Sequence, residues 1–100
     1  MDKEQNSSAV IRRALRFSGS VQGIGFRYRA VHAANAVGAT GWVRNDRDGC
    51  VSMEIQGTEQ QIDAVILAVE RGTYVNIENL WASTIPPIED EYGFQAKDDE

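Results

Sequence analysis

The chain changes twice from the two-residue repeat of a strand to the 3.6-residue repeat of a helix, and this order constrains its fold most. Apolar and polar residues alternate over 15–18, which predicts a half-buried strand that ends at Gly19. Apolar residues then recur at i, i+4, i+7 and i+11, as on one face of a helix of about three turns. Gly38 lies where glycine commonly ends a helix. The apolar positions of this helix are Phe26, Ala30, Ala33 and Val37.

The same order returns in the second half. Two alternating runs, 41–45 and 51–56, flank Asp48-Gly49, a pair that tolerates positive φ and is a strong hairpin signal. Thr58 and Gln61 then form a capping-box pattern, because their side chains can satisfy amides of a first helical turn. The helix that follows has apolar residues at Ile62, Val65, Ile66 and Val69 and is predicted to end at Gly72.

A fourth apolar run covers 77–85 and stops at Pro86-Pro87, and a short fifth run lies around Phe94 and Ala96. This order is the split βαβ pattern. We therefore expect an α+β fold (βαββαβ plus a short final strand), a sandwich in which two helices cover one face of an antiparallel sheet. We expect residues 1–9 to be a disordered leader, 10–97 the domain and 98–100 an acidic tail.

Composition limits the class of protein. One hundred residues favour a single domain, and 42% hydrophobic with 25% charged residues is ordinary for a globular chain. No apolar run approaches the ~18 residues of a membrane span, and residues 1–8 lack a signal-peptide core, so we expect a cytoplasmic protein with no membrane partner. The single cysteine, Cys50, excludes an internal disulfide. No Asp/Glu/His cluster has metal-ligand spacing, so no metal is expected.

The formal net charge of −5, from 10 basic and 15 acidic residues, argues against a nucleic-acid partner. The charge is unevenly distributed. Residues 12–47 contain seven arginines and one acid, a balance of +6, whereas the remaining residues carry three bases and fourteen acids, a balance of −11. An anionic small molecule bound in the first half fits this division, and so does a chance distribution of solvated side chains.

The segment 19–25 contains three glycines between the first strand and the first helix. A helix start offers unpaired N–H groups and a positive dipole end, and glycines let successive N–H groups converge on one anion. Arg27, in the first helical turn, can bind the same anion in bidentate fashion. The alternative is a flexible turn with Arg27 solvated. No Gly-Lys-Ser/Thr follows, and the third glycine of a dinucleotide fingerprint is absent.

Asn45 lies near the end of the strand that starts at Gly41. An asparagine is common there as a turn former before Asp48-Gly49. Its amide also carries donors and an acceptor, so it can hold a water molecule in one orientation. The residues alone leave both roles open.

Two motifs resemble the signatures of acylphosphatases. The first is Gly19-Ser20-Val21-Gln22-Gly23-Ile24-Gly25-Phe26-Arg27, with Ile24 where valine is usual. The second is Gly41-Trp42-Val43-Arg44-Asn45 with Gly49, Val51 and Gly57. Their order and separation, and the order of elements over about 10–97, agree with that family, and the resemblance implies its ferredoxin-like fold. The stretch after Gly72 has none of the family's distinctive residues.

The resemblance implies an enzyme that hydrolyses the carboxyl-phosphate bond of a small acyl phosphate, without a cofactor and as a monomer. Arg27 would be the catalytic arginine that binds the phosphoryl group. Asn45 would be the catalytic asparagine that orients the attacking water. Backbone amides would complete the substrate-binding cradle, and they belong to Val21, Gln22, Gly23, Ile24 and Gly25.

Other functions remain open. Similar domains form the N-terminal part of the hydrogenase-maturation carbamoyltransferases, which use carbamoyl phosphate. Those proteins are far longer and carry zinc-finger-like cysteines. A ferredoxin-like module can also bind phosphate or an acyl phosphate for regulation, without turnover. RNA binding is disfavoured, because the outward residues of the third strand, Ser52, Glu54 and Gln56, offer a poor stacking surface.

The remaining distinctive residues have structural interpretations. We expect His32 on the solvated side of the first helix, and Cys50 to be a small strand residue whose thiol pKa is not lowered. Glu89-Asp90-Glu91 and the acidic tail are expected to be solvated charge. The residues expected in the core are Trp42, Trp81, Met53 and Phe94.

Overall fold

The computed structural model describes residues 9–99, so the predicted leader lies outside the described residues except for Ala9, and so does Glu100 of the tail. Seven elements follow in the predicted order. They are β1 (Ile11–Ser20), α1 (Phe26–Val37), β2 (Thr40–Asn45), β3 (Val51–Gly57), α2 (Glu59–Glu70), β4 (Asn76–Ile85) and β5 (Phe94–Ala96).

The five strands form one sheet in the order β4-β1-β3-β2-β5. The first four are antiparallel to their neighbours, as predicted, whereas β5 runs parallel to β2. The sheet is mixed because the chain leaves β4 at one edge and crosses to the opposite edge before it enters β5. The α+β fold is confirmed, with this one parallel pair added.

The core lies between the two helices and one face of the sheet. Its side chains are at most 3% exposed, and Met53 and Phe94 are among them, as predicted. The rings of Phe17 and Phe26 meet edge to face with centroids 5.1 Å apart, a favourable aromatic geometry that fixes α1 against β1. The helices contribute Phe26, Ala30, Ala34, Ile62, Val65 and Val69.

Local signals fix the helix ends. Gly38 caps the end of α1 with a φ of 85°, in the left-handed region that glycine adopts readily. The predicted capping box begins α2, since Gln61 N donates to Thr58 Oγ1 at 3.2 Å and Thr58 N donates to Gln61 Oε1 at 2.8 Å. Gln61 Nε2 also donates to the carbonyl of Val37 at 2.7 Å, which joins the two helices. Within residues 9–99, no helix combines the length and apolar character needed to cross a membrane.

The other face of the sheet is open, and both tryptophans lie on it. Trp81 is the cross-strand partner of Arg16, whose neighbours Leu15 and Phe17 point to the core. Trp81 is therefore directed away from the core and is 53% exposed, so the prediction that it is a core residue is wrong. Trp42 is only partly buried, so the same prediction is wrong for it.

Arginines cover part of both indole rings. The guanidinium carbon of Arg16 lies 5.8 Å from the ring centroid of Trp81, and that of Arg44 lies 5.1 Å from the ring of Trp42. Such cation–π contacts stabilise a half-exposed ring modestly.

The chain between β4 and β5, residues 86–93, is held against the sheet by a buried arginine, and we call it the crossover segment. Arg12 is fully buried, and its Nη1 donates to Glu91 at 2.7 Å while its Nε donates to Glu54 at 3.0 Å. Gln56 and the backbone of Ile88 exchange two hydrogen bonds of 2.9 and 2.8 Å. The expectation that Glu91 is a solvated charge is therefore wrong.

Candidate active site

The loop between β1 and α1 is shaped by glycine. Gly23 and Gly25 have φ values of 74° and 84°, which residues with a Cβ rarely adopt. Val21 is fully buried and anchors the loop to the core. The backbone therefore curls tightly between the end of β1 and the start of α1.

The start of α1 favours an anion. Gly25 is the N-cap, and among the described residues no side chain caps this helix. The first turn also contains no acidic residue. First-turn N–H groups lack partners within a helix and lie at the positive end of its dipole, so they form a ready anion site.

The β2–β3 hairpin brings Asn45 to the same end of the sheet. Asn45 is the last residue of β2 and is 8% exposed. In the turn that follows, Asp46 N donates to the carbonyl of Cys50 at 2.8 Å and Gly49 N donates to the carbonyl of Asp46 at 3.1 Å. The predicted hairpin is confirmed, and its closed turn holds Asn45 in place.

Gln22 ties the glycine loop to this hairpin. Its Nε2 donates to the carbonyls of Asp46 and Cys50, each at 2.8 Å. The sequence predicts a role for the backbone amide of Gln22, but its side chain bridges the two segments that carry the candidate site. Gln22 thus links the loop that leads to Arg27 with the hairpin that carries Asn45.

These segments meet at a pocket of about 160 Å³. Arg27, from the start of α1, and Asn45, from the end of β2, both line it. Two of the predicted loop residues, Gln22 and Ile24, do not line this pocket. The other lining residues are Val21, Gly23, Gly25, Phe26 and Tyr28.

Arg27 has an acidic neighbour from the chain beyond β5. Its Nη1 donates to Asp99 Oδ1 at 2.8 Å and to the carbonyl of Lys97 at 3.4 Å. Asp99 is 62% exposed, so it remains a solvated charge as expected, although it is paired with Arg27. The carboxylate of Asp99 is therefore hydrogen-bonded to the guanidinium of Arg27, which lines the pocket.

The arginines of residues 12–47 do not surround the pocket, since Arg27 alone of the seven lines it. Four of the others are paired with carboxylates: Arg12 with Glu54 and Glu91, Arg13 with Glu59, Arg16 with Asp48, and Arg44 with Asp46. The balance of +6 is therefore largely neutralised by acids close in space. The pocket is therefore not surrounded by a general positive field, and Arg27 is the one arginine of the seven that lines it.

Cys50 lies directly before β3 (Val51–Gly57), so the prediction that it is a strand residue is wrong, whereas the expectations for its thiol pKa and for an exposed His32 are confirmed. Burial raises the pKa of the Cys50 thiol, and a hydrogen bond with Asp48 raises it further, although the charge of Arg16 acts in the opposite direction. The net pKa is above the ordinary thiol value, which disfavours a nucleophilic thiolate. His32 is exposed on α1 and stacks on Tyr28 with centroids 6.1 Å apart. In residues 9–99, no group of three or more His, Cys, Asp or Glu side chains is placed to hold a metal ion.

Sequence reasoning missed two residues near the pocket, Tyr28 and Asp99, and the side-chain role of Gln22. Tyr28 follows Arg27 directly, and an aromatic residue in the first turn of a helix beside a candidate anion site was a usable signal. The side-chain role of Gln22 and the contact of Asp99 had no local signal, because their partners are 24 to 28 and 72 residues away.

The protein is a small α+β domain with a pocket between a glycine loop and the end of a strand, and comparison with known proteins defines its family. The acylphosphatase family model matches residues 13–96. Because this match covers most of the chain, the protein belongs to the acylphosphatase family.

Individual relatives agree with this assignment. An acylphosphatase of Bifidobacterium longum is 42% identical over 62 residues, which are 62% of this chain and 64% of that protein. Acylphosphatase 1 of Ralstonia nicotianae is 39% identical over 72 residues, 72% of this chain and 71% of that protein. The crystal structure of acylphosphatase from Bacillus subtilis superposes with a TM-score of 0.79 at 26% identity, over 87% of this chain and 98% of that one. The aligned part of this chain thus spans slightly less than two thirds of the Bifidobacterium protein.

Proposed function

We propose that this protein hydrolyses the carboxyl-phosphate bond of small acyl phosphates to a carboxylate and inorganic phosphate. The observation that carries this proposal is that Arg27, Asn45 and the glycine loop line one pocket. Membership of the acylphosphatase family supports the reaction type.

In this proposal Arg27 and backbone amides hold the phosphoryl group. Phosphoryl transfer depends mainly on positioning and on stabilising charge on the equatorial oxygens. The Arg27 guanidinium supplies a planar set of five N–H donors, and its side chain is only 34% exposed. The loop amides of Val21 to Gly25 and the start of α1 add further N–H donors.

Asn45 orients the attacking water for in-line displacement. Its amide, nearly buried at the end of β2, can accept one hydrogen bond from water and leave the water oxygen directed at phosphorus. The leaving carboxylate has a conjugate acid with a pKa of about 4, so it departs without a proton. Since Asn45 does not titrate, the proton of the water passes to a phosphate oxygen.

The test is hydrolysis of benzoyl phosphate in excess EDTA, followed by loss of substrate. We expect metal-independent turnover above the spontaneous rate. Arg27→Ala and Asn45→Ala are each expected to lose about 100-fold or more in kcat/KM, the effect of removing a main stabilising or positioning group.

Two substitutions serve as matched controls. Arg13→Ala removes an arginine whose partner Glu59 is 3.7 Å away, and Asn79→Ala removes an exposed asparagine of β4. Neither residue lines the pocket, so both variants should keep wild-type kcat/KM. An Asn45→Ala variant with wild-type turnover would show that this role is wrong.

The same assay separates the alternative functions. Binding of benzoyl or acetyl phosphate without turnover would favour a regulatory phosphate-binding module. Turnover of carbamoyl phosphate with no turnover of benzoyl or acetyl phosphate would favour a domain directed at carbamoyl phosphate. We expect all three to be hydrolysed, because Arg27 and the loop amides contact the phosphoryl group that the three substrates share.

A further inference from the structure

A groove of about 330 Å³ lies on the open face of the sheet. The residues that line it come from β4, β1, β3 and β2, and they include both tryptophans. Within the described chain, 9–99, no residue lines both this groove and the pocket of Arg27 and Asn45. Small-molecule sites commonly have volumes of about 300–1,000 Å³, so the groove has room for a ligand with one ring system.

Tryptophan rings form the two walls of the groove, and small side chains form its floor. Trp81 lies on β4 and Trp42 on β2, strands that are three spacings or about 14 Å apart in the sheet. Between the rings the open face carries Ala14, Ser52 and Ser83. The outward residues of β3 include no aromatic side chain, but the strands on either side supply two. A flat molecule can therefore lie on the sheet between two indole rings.

The crossover segment (86–93) closes one end of the groove. Arg12 and Gln56 are the next outward residues of β1 and β3 at this end. Arg12 donates to Glu91 at 2.7 Å, and Gln56 exchanges its two hydrogen bonds with Ile88. Glu54 lines the closed end, and its carboxylate accepts a hydrogen bond from Arg12 at 3.0 Å and has the capacity to accept others. This end therefore favours a ring that carries N–H donors.

The opposite end of the groove leads to a hollow rich in arginine. Three arginines and two aspartates line this hollow, which shares Arg16, Arg44 and Ser52 with the groove. Arg16 forms an ion pair with Asp48, and the two side chains are 47% and 51% exposed. A pair this exposed is weak, so an anionic ligand can share Arg16. Because the Arg16 guanidinium carbon is 5.8 Å from the ring centroid of Trp81, a ligand ring beside Trp81 brings its anionic substituent close to Arg16.

We propose that this groove binds a planar nitrogen heterocycle that carries an anionic group, the chemistry of a nucleoside monophosphate. The heterocycle lies between Trp42 and Trp81, its N–H groups donate to Glu54, and its anionic group contacts Arg16. The closed end and the formal net charge of −5 favour a small ligand over a nucleic-acid strand. The site is separate from the candidate active site and does not depend on the proposed function.

Tryptophan fluorescence tests the proposal directly, because Trp42 and Trp81 are the two tryptophans of the chain. Titration with AMP should give saturable quenching with a Kd below about 1 mM. Adenosine, which lacks the anion, should bind about two- to fivefold more weakly. Inorganic phosphate, which lacks the ring, should not quench. Arg27→Ala should bind AMP as wild type does, because Arg27 does not line the groove, and this result separates the groove from the candidate active site.

Variants locate the site, with the Kd measured from shifts of backbone amide NMR signals. Trp81→Ala should weaken AMP binding about tenfold, because stacking of a base on an aromatic ring supplies at least this much. Trp81→Phe keeps a ring and should lose less. Arg16→Gln should weaken the binding of AMP but not of adenosine. Tyr92→Ala and Arg71→Gln change exposed residues outside the groove, and these matched controls should bind like wild type.

Circular dichroism establishes that each variant is folded. Absence of saturable quenching up to about 10 mM AMP, or a Trp81→Ala variant with the wild-type Kd, would overturn the proposal. Loss of AMP binding in Arg27→Ala would assign the ligand to the candidate active site instead. A single-stranded oligonucleotide of about ten nucleotides that binds more than about 100-fold more tightly than AMP would show a nucleic-acid surface and equally overturn a small-ligand site.

Discussion

Arg27 Nη1 donates a hydrogen bond to Asp99 Oδ1 at 2.8 Å, so a carboxylate of the acidic tail lies on the arginine that faces the candidate active site. The side chains of Arg27 and Asp99 are 34% and 62% exposed. An ion pair this exposed is weak and screened by salt. An incoming phosphoryl group must nevertheless displace or share this contact.

Asp99→Asn is expected to lower the KM for benzoyl phosphate and the inhibition constant of inorganic phosphate about two- to fivefold, the range of an exposed ion pair. The physical reason is that the neutral amide competes less with the anionic ligand for Arg27. Asp98→Asn makes the same change in net charge one residue away and serves as the control. The difference between the two variants should shrink as salt is added, and a higher KM for Asp99→Asn would contradict the competition.

Tyr28 is expected to contact the acyl part of the substrate. It lines the pocket beside Arg27, and its ring is 76% exposed and supported by the ring of His32. Tyr28→Ala should therefore raise the KM for benzoyl phosphate several-fold, as expected for loss of an aromatic contact of about 1 kcal/mol. The KM for acetyl phosphate, which has no ring, should stay within about twofold. Tyr28→Phe should resemble wild type with both substrates, and equal losses on both would contradict this role.

Gln22→Ala is expected to reduce kcat more than it changes KM. The substitution removes both hydrogen bonds that link the glycine loop to the hairpin carrying Asn45. Small displacements of a positioned group can reduce rates strongly, so we expect about a tenfold fall in kcat from steady-state kinetics. Gln60→Ala, on the exposed start of α2, is the control. A variant that loses thermal stability but keeps kcat would show that Gln22 has only a structural role.

Much of the fold could be predicted because its signals are local. The alternation of β1 and β3, the Asp48-Gly49 turn and the capping box at Thr58 each depend on residues a few positions apart. The interpretation of β4 was wrong in one respect, since apolar residues occupy both alternating sets of positions in 77–85 and periodicity could not assign Trp81 to a face.

The candidate site could be predicted in part for the same reason. The glycine loop and Arg27 are adjacent in sequence, and the second motif supplies Asn45. The contacts of Asp99 and Glu91 could not be predicted, because their partners Arg27 and Arg12 lie 72 and 79 residues away in the sequence. The residues next to a surface acid do not indicate which base it will pair with. Long-range ion pairs depend on the packing of the sheet rather than on any local repeat.

The crossover segment supplies a pH-dependent contribution to stability. Burial raises the pKa of Glu91, but hydrogen bonds from Arg12 and Thr40 and the charge of Arg12 outweigh it, so the pKa lies below its ordinary value of 4.5. Thr40 Oγ1 donates to Glu91 Oε1 at 2.7 Å. Because the folded chain holds the ionised form, this contribution is complete above the unfolded pKa and is lost as pH falls through the lower folded pKa.

Glu91→Gln should therefore lower the free energy of unfolding by about 1–3 kcal/mol at pH 7, since the buried Arg12 loses one of its two carboxylates. The deficit relative to wild type should shrink as pH falls below 4.5, where wild type also loses the ionised Glu91. Urea unfolding followed by tryptophan fluorescence across pH 3–8 measures both effects. Glu89→Gln, an exposed residue of the same segment, should follow wild type throughout. A Glu91→Gln deficit that is constant with pH would show that the loss comes from packing, because only a shifted carboxyl pKa makes the difference depend on pH in this window.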